Sequence, residues 1–173
     1  MSREISLNSR LAGDAQISGE LEVVLLHITH ESLSEPIKLS TDNVDRISEN
    51  PLRYGTRSTW KTTDGSPFLF TLLSARLPDD NTNTISRGVI IIDNLDFGIG
   101  ESLRATTTQA TVDMAVVLAS SPDIIEHEQS GLLLQKSSGD MHRYELELGR
   151  TPLSSQSFPK DRFTPDRFRG LFG

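Results

Sequence analysis

ELEVVLLHITH, at residues 20–30, is rich in branched apolar side chains and contains neither glycine nor proline. Branched apolar residues favour strands, and the run is too short and too β-branched to predict a helix. It therefore predicts a buried strand, and the rest of the chain is interpreted around it.

Six further runs have the same character and are separated by turn residues. They are EPIKLST (35–41), PFLFTLLSA (67–75), SRGVIIIDN (86–94), ATVDMAVVLAS (110–120), LLLQK (132–136) and RYELELG (143–149). The last run alternates most clearly, with Tyr144, Leu146 and Leu148 on one face and charged side chains on the other. Several short strands joined by loops predict a mainly β protein, a β-sandwich or a barrel.

Two regions break the β pattern. GIGESLRATT (98–107) follows a turn-rich stretch and predicts one short helix, with Glu101 near its positive end. Residues 46–67 are irregular, contain the only tryptophan, Trp60, and predict a long loop. Long loops in compact domains are often functional or become ordered by a partner, so Trp60 is a candidate interface residue.

The length of 173 residues suits one domain with a hydrophobic core of its own. We expect an N-terminal arm at 1–19, a β-sandwich domain at 20–150 and a C-terminal docking arm at 151–173. Both arms are expected to be extended.

The composition excludes several classes of function. A formal net charge of −7 argues against a nucleic-acid-binding or anionic-membrane surface. The absence of cysteine excludes disulfides, thiolate nucleophiles and cysteine zinc sites. The N-terminus has no apolar signal region, and no apolar run approaches the roughly 18 residues of a membrane span.

Candidate catalytic and metal motifs each have a simpler explanation. His27 and His30 point to opposite faces of a strand, which favours structural roles over metal ligation. GIGESL lacks the third glycine of a dinucleotide fingerprint and the Lys-Ser/Thr pair of a phosphate loop. The chain has no GxSxG or HExxH motif. The sequence therefore predicts no catalytic residue, no cofactor and no metal, although an enzyme is not excluded.

LPDDNTNTI (77–85) has the alternating oxygen ligands of a calcium loop. However, Thr84 stands where that loop requires glycine, and Ile90 stands where it requires glutamate. A polar turn is therefore the expectation.

The terminal segment FPKDRFTPDRFRGLFG (158–173) contains aromatic, leucine and arginine side chains on a chain that Pro159 and Pro165 hold extended. Such side chains are the usual anchors of protein interfaces. The segment either packs back on its own domain or docks on a neighbouring molecule. The candidate interface residues are Phe158, Arg162, Phe163, Phe168, Arg169, Leu171 and Phe172.

Five stretches together resemble a family of small tail proteins of long-tailed bacteriophages, related to the minor tail protein that forms a ring at the tail tip of lambda-like phages. They are LLHITHESLSEPIKLSTDN (25–43), LPDD (77–80), GVIIIDNLDFGIGESLR (88–104), VVLASSPDIIE (116–126) and the closing segment. The closing pattern of the family is FTPxxFPGLF, and here Arg169 replaces the second proline. The likeness covers residues 20–173.

The resemblance implies a β-sandwich similar to the phage tail-tube fold, in a ring of six copies. Such a distal tail protein lies between the tail tube and the tail tip or baseplate hub of the virion. The implied partners are the chain itself, the tube protein, the tip or hub proteins and the tape measure protein.

Two questions stay open at this point. Acidic residues lining the lumen would reduce the adhesion of DNA, and the candidates are Asp79, Asp80, Asp93 and Asp96. The alternative functions are a tail assembly factor that is absent from the virion and a tail-associated cell-wall hydrolase. A hydrolase requires a carboxylate pair or a metal set in a cleft.

Overall fold

The structure is a computed structural model, and it describes residues 6–62, 65–76, 87–93, 109–140 and 143–149, together with Gly170. These residues form one helix and ten strands, so the protein is mainly β, as the sequence predicts. In chain order the elements are α1 Leu7–Asp14, β1 Glu22–Thr29, β2 Ile37–Ser40, β3 Arg46–Glu49, β4 Leu52–Thr56, β5 Phe68–Phe70, β6 Leu72–Arg76, β7 Arg87–Asp93, β8 Thr111–Leu118, β9 Ser121–Gly139 and β10 Arg143–Gly149.

The ten strands form one mixed sheet in the order β3-β4-β5-β2-β1-β8-β9-β10-β7-β6. β5 and β6 are almost continuous in sequence, yet β5 pairs with β2 and β4 whereas β6 pairs with β7. Between them, the backbone N–H of Thr71 donates to the Ser40 carbonyl at 2.9 Å. The Thr71 hydroxyl lies 3.5 Å from the Asp93 carbonyl on the other side. The sheet thus curls into a half-barrel whose two sides meet at Thr71.

β1 lies in the middle of this sheet and is buried on both faces. Leu26 and Ile28 belong to the larger apolar cluster, to which β7, β8, β9 and β10 also contribute. Val23 and Leu25 belong to a second cluster on the opposite face. Each buried aliphatic side chain contributes about 1.5–3 kcal/mol through removal from water. The apolar run at 20–30 is therefore a central strand because it supplies side chains to two cores.

The predicted alternation in β10 is also confirmed. Tyr144, Leu146 and Leu148 are buried in the larger cluster, whereas Arg143 and Glu145 are exposed. β10 pairs with β7 and β9 along its length, so its buried face continues theirs.

The predicted long loop at 46–67 is wrong in its first half. Residues 46–56 form the β3–β4 hairpin, whose turn contains a cis Asn50–Pro51 peptide bond. The predicted strand at 67–75 is divided into β5 and β6, because the chain stops pairing with β2 at Thr71 and then pairs with β7.

The single described helix lies in the N-terminal arm, which we expected to be extended. α1 begins at a Ser6 N-cap whose side chain accepts a hydrogen bond from the Ser9 N–H at 3.1 Å. The helix predicted at 98–107 lies outside the described residues. No described helix is long and apolar enough to cross a membrane.

Candidate functional site

The second apolar cluster is covered by residues 57–62, which we call the Trp60 strap. Its Ser58 hydroxyl donates to the Pro122 carbonyl at 2.7 Å. The backbone N–H and the hydroxyl of Thr59 both donate to the Asp123 carboxylate, at 2.7 and 2.9 Å. These contacts attach the strap to the first residues of β9.

Trp60 is the apolar centre of the strap and is only 6% exposed. Its ring stacks on Phe68 with centroids 5.9 Å apart and an interplanar angle of 27°. The indole N–H donates to the Glu128 carboxylate at 3.3 Å, so the polar end of the ring is also satisfied. Trp60, predicted as an interface residue, is therefore buried within its own chain, and its interface role stays a prediction.

A row of ionisable side chains lies beside Trp60. The strand registers place Lys38 of β2 and Asp113 of β8 on either side of His27 of β1. Lys61 of the strap places its ammonium 3.3 Å from the Asp113 carboxylate. His27 and Asp113 are both buried, and the His27 ring meets the indole of Trp60 edge-on with centroids 6.2 Å apart.

His27 is held in this row without a hydrogen bond at Nδ1. That nitrogen is buried and lies 3.9 Å from the nearer Asp113 oxygen, which is too long for a hydrogen bond. Burial lowers the pKa of the His27 imidazole below its ordinary value of 6.5 because the charged ring loses water. Asp113 opposes this shift, and the charges of Lys38 and Lys61 add to it. His27 is thus neutral at pH 7.

A β-bulge explains why Asp113 is buried in an otherwise apolar strand. In the β8–β9 pair, Val112 lies opposite Leu132 and Met114 opposite Gln129, so two residues of β9 face Asp113. One of them is Gly131, whose φ of 68° suits glycine. Its N–H donates to the Asp113 carboxylate at 2.7 Å. The Asp113 carboxylate thereby accepts a hydrogen bond at the bulge and also faces the Lys61 ammonium.

A second irregularity in β9 carries the N-terminal arm. Val116 pairs with His127 and Val117 with Ile125, so Glu126 is the extra residue between them. Glu126 is buried, and its carboxylate accepts a hydrogen bond from the backbone N–H of Ser6 at 3.0 Å. A carboxylate is favourable there because the beginning of a helix carries partial positive charge.

Beyond this contact, α1 buries none of its residues. Leu7 is 72% exposed, Leu11 is 62% exposed, and Ile17 beyond the helix is also exposed. Leu7 and Leu11 are four residues apart and share one helix face. An eight-residue helix is marginal in water without packing, so this face is suited to a neighbouring surface.

Most of the predicted site residues lie outside the described residues: Phe158, Arg162, Phe163, Phe168, Arg169, Leu171, Phe172, Asp79, Asp80 and Asp96. Among the proposed lumen residues the structure describes Asp93. Its carboxylate lies 3.8 Å from the guanidinium of Arg143, and both side chains are more than half exposed. Asp93 is therefore accessible, but Arg143 offsets part of its charge.

His27 and His30, which the sequence places on opposite faces of a strand, do not share a site. His30 lies beyond the end of β1, where its Nδ1 accepts from the Ser32 N–H at 3.0 Å. His27 faces Trp60 instead. Within the part of the chain that the structure describes, no three His, Asp or Glu side chains are grouped as metal ligands.

Sequence reasoning did not identify that Asp113 and Glu128 both lie beside Lys61. One signal was present, because Asp113 interrupts the apolar run ATVDMAVVLAS and a buried charge needs a partner. The partner lies 52 residues earlier in the chain and is supplied by an irregular segment. No spacing rule links the two positions.

No protein-family model matches the chain, and no curated protein matches its sequence.

Proposed function

We propose that the protein is a structural component of the bacteriophage tail end. Six copies form a ring that joins the tail tube to the tail tip or baseplate hub, and each copy has a body similar to the tail-tube fold. The ordered series of stretches from residue 25 to the closing FTPDRFRGLF carries this proposal. The curled β-sheet is compatible with it.

The described surface supports assembly with neighbours. Leu7 and Leu11 are exposed on α1, and Val44, Leu52 and Tyr54 are exposed on or near the β3–β4 hairpin. Single exposed apolar residues are ordinary, but an exposed helix face that buries nothing in its own chain favours a partner. A ring supplies one, because each copy presents one surface to a different surface of the next copy.

The C-terminal arm is the second proposed contact. Residues 158–173 contain Lys160, Arg162, Arg167 and Arg169 against two aspartates, on a chain whose net charge is −7. A basic aromatic arm and an acidic body form the complementary pair that a head-to-tail ring requires. In this proposal the arm crosses to the neighbouring subunit.

The lumen is proposed to be acidic. DNA adheres to proteins mainly through phosphate contacts with Lys and Arg, and carboxylates reduce that adhesion. Asp93 has the exposure that this role requires, and its contact with Arg143 offsets part of its charge.

The first experiment is quantitative mass spectrometry of purified particles, comparing copies of this chain with copies of the tube protein. A ratio that matches one or a few rings per tail is expected. Absence from particles with complete tails would refute the ring and indicate an assembly factor. A peptidoglycan-release assay on the same particles and on the purified protein tests the hydrolase.

The second experiment separates arm docking from self-packing. Deletion of residues 158–173 is expected to abolish ring and tail assembly and to leave a folded monomer. A matched control is Arg169→Pro, which restores the family pattern and is expected to assemble. An unfolded deletion variant would instead indicate that the arm packs on its own domain.

A further inference from the structure

The Trp60 strap closes over a buried, neutral imidazole. Four ionisable side chains lie next to His27 or next to its neighbours: Lys38 from β2, Asp113 from β8, Lys61 from the strap and Glu128 from β9. Lys61 lies 3.3 Å from Asp113 and 3.8 Å from Glu128. The charges of the two ammonium groups and the two carboxylates cancel, so the row formed by these four groups and His27 is neutral only while His27 is uncharged.

A proton on His27 disturbs this balance. It adds a charge next to two cations, at a ring with little access to water and with no hydrogen bond at Nδ1. Asp113 is the only carboxylate within ion-pair distance of His27 among the described residues, and it already faces Lys61 and the Gly131 N–H. A buried charge that is incompletely paired is unfavourable, and exposure to water removes that cost.

The strap is the element that can move away. Its hydrogen bonds to other described segments are to two carboxylates and one carbonyl of β9, including the paired contacts of Thr59 with Asp123. Its Lys61 ammonium also faces the Asp113 carboxylate of β8. It contains no strand pairing, and Lys61 has a left-handed φ of 53°. A non-glycine residue in the left-handed region is strained, and release of the strap relieves that strain.

We infer that the Trp60 strap is an acid-released closure, in which protonation of His27 displaces residues 57–62 and uncovers the second apolar cluster. The side chains uncovered are those of β1, β5 and β8 that Trp60 now covers, Phe68 foremost. The device lies in the described body and does not depend on the proposed role in a phage tail.

The direction with pH follows from proton linkage. In the closed state the pKa of His27 is lowered from 6.5, and in the open state water restores the ordinary value. The open state therefore binds the extra proton, and closure is fully stable above pH 6.5. As the pH falls from 6.5 through the lowered pKa, the opening equilibrium constant rises by up to about tenfold per pH unit, and then levels.

Hydrogen exchange and fluorescence quenching test this directly. Exchange of a peptide spanning residues 57–62, corrected for the intrinsic effect of pH, is expected to accelerate as the pH falls below 6.5. A peptide from β8 is expected to stay protected, which separates strap release from global unfolding. Acrylamide quenching of Trp60 should increase over the same range, since the chain has no other tryptophan.

Variants identify the trigger. His27→Gln is expected to keep the strap closed over the whole range, whereas the control His30→Gln is expected to open as the unaltered protein does. Glu128→Gln keeps an acceptor for the Trp60 N–H and removes the charge facing Lys61, so the opening midpoint should move to higher pH. This variant leaves His27 in place and tests the linkage if His27→Gln is too unstable to measure.

Three results would overturn the inference. The first is unchanged exchange in the strap peptide with a fall in Trp60 emission alone, which indicates contact quenching by the protonated imidazole. The second is equal acceleration in the strap and in β8. The third is opening in His27→Gln at the same pH as in the unaltered protein.

Discussion

Gly55 is the position where one added methyl group should be most disruptive. A Cβ at Gly55 would lie 1.9 Å from the carbonyl oxygen of Phe68 and 3.1 Å from the Cα of Leu69. Both are backbone atoms of the paired strand β5, so no side-chain rotation relieves the contact. Because ordinary contacts begin at 3.4 Å, β4 must move from β5 by about 1.5 Å.

A displacement of that size breaks the β4–β5 pairing. Hydrogen bonds near 2.9 Å are lost beyond about 3.5 Å. Thr56, next in β4, would also lose the buried contact between its hydroxyl and that of Ser40, now 2.7 Å. Two or three hydrogen bonds at about 1 kcal/mol each, with about 1–3 kcal/mol for overpacking, predict that Gly55→Ala lowers the free energy of unfolding by about 3–6 kcal/mol.

Urea unfolding followed by Trp60 fluorescence measures this loss, because Trp60 packs on Phe68 of the same strand. Two matched variants give the scale. Gly131→Ala meets no atom within 4 Å but has φ of 68°, so about 1 kcal/mol of backbone strain is expected. Gly19→Ala meets nothing and should be neutral. A loss for Gly55→Ala no larger than that for Gly131→Ala would refute the steric argument.

Three further predictions concern the strap and α1. Lys61→Met should lower the free energy of unfolding, measured by urea titration, by about 1–2 kcal/mol at neutral pH, because it leaves Asp113 without its cation. Adding Asp113→Asn to Lys61→Met should restore part of this loss. If the losses of the two single variants simply add in the double variant, the two side chains do not act as a pair. Trp60→Leu should lower the free energy of unfolding, measured by circular dichroism, by about 2–3 kcal/mol. A loss under about 1 kcal/mol would mean that Trp60 packs loosely. Glu126→Ala should accelerate hydrogen exchange in residues 7–14 without lowering the protection of β1, and an unchanged exchange rate would show that the Ser6 contact does not hold α1.

The strands with a strong apolar pattern could be predicted from the sequence. β1 and β10 owe their structure to side chains that recur on one or both faces, and that periodicity is visible in the chain itself. The β3–β4 hairpin has no such pattern, because Tyr54 and Leu52 are exposed and only Gly55 and Thr56 are buried. It forms as an extension of β5, and that pairing is a property of the folded sheet.

The beginning of β9 was missed for a related reason. SPDIIEHEQS carries four ionisable side chains in ten residues, which favours a loop when read alone. In the fold these residues pair along β8, and the charges serve as attachment points for other segments. Bulges change which side chain is buried, so the alternation that predicts a strand is lost where they occur.

The row of ionisable side chains at His27 shows why the candidate site could not be predicted from the sequence. Its five members come from five separate segments, and the β1–β2 and β1–β8 registers bring Lys38, His27 and Asp113 into line. A register shift by one residue would turn His27 to the other face of the sheet. The sequence indicates that Asp113 needs a partner, whereas the fold alone decides that Lys61 supplies it.

β9 holds two described segments that lie outside the sheet, the Trp60 strap and α1. Within its first eight residues it holds the Trp60 strap, through Pro122, Asp123 and Glu128, and α1, through Glu126. These contacts are possible because bulges break the strict pairing of β9 with β8 and direct extra acidic side chains toward the segments that cross it. The irregularity that hides the beginning of β9 from sequence analysis is therefore also the reason why the strap and α1 have a place to attach.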